Sequence, residues 1–182
     1  MVDVKFRHSN LLVAKITKPE RLFRLYSILD SVTVFPVVFE MIERLKQIYR
    51  LEHGFKIDQE YQIELEYTME GSYRDMKKHL EQKDIVLPTA FFADNDIIAF
   101  GAMRALKEKG IKIPQDISII GFDDMPFCEI TSPRLTTVRV FKQEMGSIAV
   151  KRLVDIIEKK DSTIQKIEIS TELIIRDSVL KK

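Results

Sequence analysis

Cysteine occurs once in 182 residues and tryptophan not at all; glycine and proline occur six times each and histidine three times. One thiol excludes an intramolecular disulfide. The few glycines form neither a phosphate loop nor a G-x-G-x-x-G turn, and no serine stands in a G-x-S-x-G elbow. His8, His53 and His79 are isolated, without an acid or cysteine at metal-ligand spacing, and read as surface or helix histidines. Cys128 has no neighbouring basic residue to lower its pKa and reads as a buried, inert thiol. No cofactor or metal is implied. Charge of one sign is lacking too: 29 basic against 28 acidic side chains leave +1, which removes the case for a nucleic-acid binder held by bulk electrostatics. No apolar run approaches the roughly 20 residues that cross a bilayer. The start Met1-Val2-Asp3-Val4-Lys5 has no secretory pattern, so the expectation is a cytoplasmic chain with no membrane partner.

What is present is a 45% apolar composition arranged in alternating periods, the mark of a folded domain. Phe39, Ile42, Leu45 and Tyr49 recur at helical spacing before Gly54, and Tyr61, Ile63, Leu65 and Tyr67 alternate as a strand. Tyr73, Met76 and Leu80 return to helical spacing. Thr89 to Ala93 is an apolar strand after Pro88, of the kind covered on both faces. Asn95 and Asp96 are capping types ahead of a helix from Ile97 to Lys109, which Gly110 and Pro114 close. Ile117 to Phe122 is the next strand. Strand, helix and strand in this order form a βαβ unit with a right-handed crossover, and repetition gives an α/β, doubly wound parallel sheet. Leu135 to Phe141 reads as a strand or extended crossing, Met145 to Ile157 as an amphipathic helix, and Ile167 to Ile175 as a final strand. Residues 1–38 show apolar clusters without a clear period.

Open α/β sheets bind ligands at the carboxyl ends of their parallel strands. Three predicted strands end in Tyr67, in Asp94-Asn95-Asp96 and in Asp123-Asp124, and these ends should share one edge. An aromatic face, an amide with donor and acceptor, and carboxylates that accept hydroxyl hydrogen bonds suit a neutral polyhydroxylated ligand. Singly, each residue has a plainer account. Asn95 or Asp96 reads as a helix N-cap, Asp123 and Asp124 as solvated acids or turn caps, and Tyr67 as the last core residue of its strand. Adjacent carboxylates on extended chain point to opposite sides, which makes them a poor general acid/base pair.

Four segments resemble the lac/gal repressor family in order and spacing: Leu87 to Asp96, Ala99-Phe100-Gly101-Ala102, Gly110 to Asp124, and Pro133-Arg134-Leu135-Thr136-Thr137-Val138. The similarity continues through Gly146, Ala149 and Leu153 and ends near Arg176. It implies the second lobe of a periplasmic-binding-protein-like sensor fold, with residues 39–141 and 163–178 forming that lobe. Helix 142–162 would pack on the first lobe, and residues 1–38 would be a remnant of, or substitute for, that lobe. By motif, Asn95 and Asp123 would hydrogen-bond a small effector and Tyr67 would form an aromatic wall. Arg44 would be the ligand-facing arginine of the lobe's first helix, although Gln47 and Ile48 stand where the family's R-x-x-G-aromatic pattern has glycine and an aromatic.

The expected function is the effector-sensing core of a bacterial-type transcriptional regulator, not an enzyme. It would bind a sugar or sugar derivative, work as a homodimer, and reach DNA only through a head domain not recognisable in this sequence. A transport-type solute-binding protein of the same fold is the alternative, and an export signal would distinguish it. An enzyme using Asp96, Asp123 or Asp124 with a metal is a third reading, distinguished by a divalent cation on those oxygens.

Overall fold

The structure is a computed structural model that describes residues 9–14, 62–83, 85–159, 163, 165 and 167–180. Arg44 and the helical pattern from Phe39 to Tyr49 lie outside the described residues, as do His8 and His53.

Six strands form one mixed sheet in the order β2-β1-β3-β4-β5-β6. They are β1 (Ser9–Ala14), β2 (Gln62–Leu65), β3 (Ala90–Ala93), β4 (Ser118–Asp123), β5 (Thr136–Arg139) and β6 (Glu172–Ile174). Strands β3, β4 and β5 are parallel, joined at Phe91↔Ile119 and Gly121↔Thr137. Strand β1 runs antiparallel to both β2 and β3, so β2 points the same way as β3, and β6 closes the other edge antiparallel to β5. Strand β1 comes from the stretch with no clear period, and lies between two strands that the alternating pattern did reveal. The final strand is shorter than the alternation from Ile167 suggests. Its partner β5 has only four residues, and the pairing is confined to Thr137–Arg139 against Glu172–Ile174.

Helices α1 (Met69–His79) and α2 (Asp96–Glu108) follow β2 and β3 and pack on each other. Each starts on a side-chain cap: Thr68 Oγ1 accepts from Gly71 N at 3.0 Å, and Asn95 Oδ1 from Ile98 N at 2.9 Å. Gly110, with φ +78°, ends α2 in the left-handed region where glycine has no Cβ penalty. The core lies between these helices and one sheet face. Met76, Ile98, Leu106, Phe91, Ile119 and Leu135 are each at most 1% exposed, and burying such a side chain stabilises by roughly 1.5–3 kcal/mol. Phe92 and Ile120, one residue out of phase, are buried as well, as the unbroken apolar runs of β3 and β4 require.

The two helices approach so closely that residue 101 must lack a side chain. A Cβ there would meet Ser72 Oγ and lie 2.5 Å from the Met69 carbonyl oxygen and 2.7 Å from the Tyr73 nitrogen. Helix α3 (Lys142–Lys159) differs: Val150, Leu153, Val154, Ile156 and Ile157 are all exposed. Met145 and Ile148, nearer its start, are half-buried.

Candidate functional site

Since β2, β3, β4 and β5 all point one way, their carboxyl ends share a single edge, as the strand-end argument expects. Tyr67, Asn95, Asp123 and the start of α3 are thereby brought to that edge. Asn95 and Asp123 follow neighbouring strands, about 5 Å apart, while Tyr67 is separated from Asn95 by β1, about 10 Å by strand spacing. Strand β2 ends at Leu65, which is 1% exposed, so Leu65 and not Tyr67 is its last core residue; Tyr67 is 53% exposed. The ring is therefore open to a ligand at the rim.

The acids that look alike in sequence separate into distinct roles. Asp96 is fully buried in the first turn of α2. Its Oδ1 accepts from Thr137 Oγ1 at 2.6 Å, and its Oδ2 accepts from Met125 N at 2.7 Å and from Cys128 Sγ at 3.1 Å. One carboxylate thus ties α2 to β5 and to the 3-10 turn Pro126–Glu129. Burial raises its pKa, against the three hydrogen bonds that favour the anion. Gly121 makes room for this carboxylate, because a Cβ there would collide with Asp96 Oδ1 and come within 2.9 Å of Leu135 Cδ2. The Cys128 thiol is pushed up by burial first and then by its bond to Asp96, which leaves it unreactive.

Asp124 is equally committed. Its Oδ2 accepts from Arg139 Nε and its Oδ1 from Arg176 Nη2, both at 2.7 Å. Burial alone would raise this carboxyl, but the hydrogen bonds and charges of Arg176 and Arg139 outweigh it and hold the pKa below the usual aspartate value. Arg176, with its side chain 8% exposed, also donates to the Leu135 carbonyl and to Glu129. The solvated-acid account therefore fails for Asp124, and Asp96 is not the cap of α2, a place Asn95 takes. Each is a structural clasp, buried and held by protein donors on both of its oxygens.

Asp123 remains. Its φ of +112° lies in a region that costs a residue with a Cβ about 1 kcal/mol or more. Its side chain is 29% exposed, and Oδ1 pairs with Lys142 Nζ at 3.2 Å. Asn95 is a cap and stays a candidate ligand group. The cap uses one lone pair of Oδ1, so the buried amide keeps its Nδ2 donors and a second lone pair. Lys142, Thr137 and Arg176 were not singled out as chemistry from the sequence. The only hint was the Leu135-Thr136-Thr137 motif, whose hydroxyls prove to bond Asp96 and, through Thr136 Oγ1 at 2.9 Å, the Arg176 amide. A cleft of about 860 Å³ lies toward the amino ends of β4 and β5, lined in part by Lys107, Ile113, Pro114, Pro133 and Arg176.

A periplasmic binding protein-like domain model matches residues 39–179, and the chain belongs to that family. Within it the chain is an effector-binding core of the lac/gal repressor type. Curated relatives include the HTH-type transcriptional repressor PurR of Haemophilus influenzae (strain PittEE), 44% identical over 110 residues, covering 59% of this chain and 32% of the relative. Another is the probable HTH-type transcriptional repressor ExuR of Bacillus subtilis (strain 168), 41% identical over 92 residues, covering 50% and 28%. Among solved structures, a LacI family transcriptional regulator from Enterococcus faecium with bound ribose is similar at a TM-score of 0.60 and 30% identity, over 79% of this chain and 51% of that one. A sugar-binding regulator of the same family from Escherichia coli, complexed with phosphate, reaches 0.65 at 27% identity over 82% and 53%. The chain thus spans about a third of the length of these curated relatives and about half of these solved chains.

Proposed function

We propose that this chain is the effector-sensing core of a bacterial-type transcriptional regulator, binding a small sugar-like ligand at the carboxyl edge of its sheet. The observation that carries this reading is the convergence of Asn95, Asp123 and the exposed Tyr67 on one edge, in a chain of this family. Asp123 accepts from ligand hydroxyls, the Asn95 amide donates to them, and Tyr67 offers a wall for the apolar ring face. Arg44, assigned through the family pattern alone, completes the proposed set. The ligand acts by population shift: it favours the arrangement it binds better, and its differential affinity, typically 1–3 kcal/mol, sets the response. DNA contact belongs to a head domain outside residues 39–179, and the exposed stripe of α3 to the junction with the first lobe. The protein is read as a cytoplasmic binding protein and not as an enzyme: Asp96 and Asp124, acids that a metal-assisted reaction would use, are engaged by protein donors. No helix among the described residues is long and apolar enough to cross a membrane.

The Asn95→Asp variant separates cap from ligand group. Aspartate caps as well as asparagine, so the start of α2 is kept, while the added charge beside buried Asp94 and Asp96 should lower the thermal midpoint. Loss of the amide donors should weaken sugar binding roughly tenfold. Titration of the 182-residue chain with ribose and lactose, followed by amide chemical shifts, checks this; unchanged affinity would remove Asn95 from the site.

The same reading includes a homodimer. Phe127 packs edge-on against Phe100 at 6.4 Å yet is 52% exposed, and with Met69 and Ile130, 46% and 74% exposed, it offers an apolar surface. Sedimentation should give a dimer for the wild type and a monomer for a Phe127→Asp, Ile130→Asp double variant. A wild type that stays monomeric at every concentration rejects the dimer.

A further inference from the structure

We propose that Lys142 is a ligand-contacting residue that works as a pair with Asp123, the two together taking up adjacent hydroxyls of the ligand. The proposal rests on the sugar-site reading above. Three observations carry it. First, Asp123 Oδ1 and Lys142 Nζ lie 3.2 Å apart at the edge where β4 ends and α3 begins, with side chains 29% and 54% exposed. The pair is open to a ligand.

Second, the hydrogen-bonding capacity left at this edge is selective. Asp96 and Asp124 are buried and tied to protein donors, and the buried Asn95 oxygen already accepts from Ile98 N. Asp123 is then the most exposed of the acids at the ends of β3 and β4, alongside the half-exposed Tyr67 hydroxyl. An ammonium has three N–H donors, and one contact to Asp123 leaves Lys142 two. Nearby Arg139 and Arg176 are engaged with Asp124, Glu172 and Glu129, so neither duplicates this cation. Asp94 is buried and Glu144, in the first turn of α3, is exposed.

Third, Asp123 sits at φ +112°, a conformation that glycine adopts without penalty. Holding an aspartate there puts a carboxylate at the strand end despite the backbone cost, as expected where the side chain is used. An acceptor and a donor separated by a hydrogen-bond length match two vicinal ring hydroxyls, one donating to Asp123 while its neighbour accepts from Lys142. Each of the two hydroxyls thus bonds one charged group, and hydrogen bonds to charged groups are the stronger ones. A ligand lacking one of the two hydroxyls would leave a charge without its partner, which is how such a pair discriminates.

The test uses the full 182-residue chain, isotope-labelled and titrated with ribose, with Lys142→Met, Asp123→Asn and the double variant beside the wild type. Thermal midpoints should stay close together, because an exposed ion pair contributes little to stability. Lys142→Met should weaken ribose binding tenfold or more, and the double variant should lose clearly less than the product of the two single losses, since both residues hold the same pair of hydroxyls. Strictly multiplicative losses overturn the pairing. A Lys142→Met variant that binds ribose as well as or better than wild type shows that Lys142 only competes for Asp123; the proposal then fails while the sugar site stands. Absence of any saturable shift in the wild type, up to the solubility limit of ribose and lactose, rejects the sugar site and the pair together.

Discussion

Replacing Asp96 with alanine is expected to lower stability by roughly 3–5 kcal/mol, and with asparagine by about 2–3 kcal/mol. The carboxylate has no solvent exposure and accepts from a backbone amide and a thiol of the turn around Pro126–Glu129 and from a hydroxyl of β5. Alanine leaves all three donors unpaired in the interior. Asparagine keeps an oxygen for Thr137 but turns an N–H₂ group toward Met125 N–H and the Cys128 thiol, so donor faces donor. Denaturant unfolding should show a lower midpoint at unchanged slope; an unchanged midpoint would mean that this carboxylate does not hold the loops together.

The pH dependence of the same variants has a definite sign. Burial raises the Asp96 pKa above the ordinary value of 3.8. Its favourable contribution is therefore complete below the unfolded-state pKa and is lost as pH rises through the higher folded-state pKa. The amide of the Asp96→Asn variant cannot titrate, so the stability gap between wild type and this variant should narrow as pH rises above 3.8. A gap that widens over that range would contradict a raised pKa. Asp124 works in the opposite sense. Its lowered pKa contributes stability above the unfolded-state value that is lost as pH falls through the folded one, so the two acids oppose each other in any wild-type acid titration.

Gly101→Ala should be the most damaging single-methyl addition at a described glycine in the helices. Two of the three atoms it would meet are backbone atoms of α1, the Met69 oxygen and the Tyr73 nitrogen, which no rotamer change can move. Either the helices separate and open a gap over Met76 and Ile98, or strain remains. Overpacking of this kind costs about 1–3 kcal/mol, and here it opposes the roughly 1 kcal/mol that alanine ordinarily gains over glycine inside a helix. Gly146→Ala provides the control, since a Cβ there meets nothing within 4 Å and α3 is exposed around it. Thermal unfolding should thus show Gly101→Ala falling and Gly146→Ala unchanged or slightly raised. Equal behaviour of the two would mean that the α1–α2 crossing has slack.

Much of the fold is legible in the chain because its signals are local. The caps at Asn95 and Gly110 bracket α2, and the unbroken apolar runs of β3 and β4 identify buried parallel strands. Strand β1 was not legible. Its antiparallel place between β2 and β3 depends on pairing with segments fifty or more residues away in sequence, which no local period encodes. Tyr67 misled for a related reason: alternation continues through it, but the strand stops at Leu65 and the ring is left at the rim.

The candidate site divides in the same way. Sequence alone determined which residue types stand at the strand ends, and the parallel order of β3, β4 and β5 was enough to bring Asn95 and Asp123 to one edge. Only the tertiary structure decided which acids are free to meet a ligand. A carboxylate's role depends on the donors that other segments bring to it, and Thr137, Met125, Arg139 and Arg176 reach Asp96 and Asp124 from 15 to 52 residues away. What they leave at the edge is Asp123, held in a backbone conformation unusual for its type and matched with a lysine that begins the next helix.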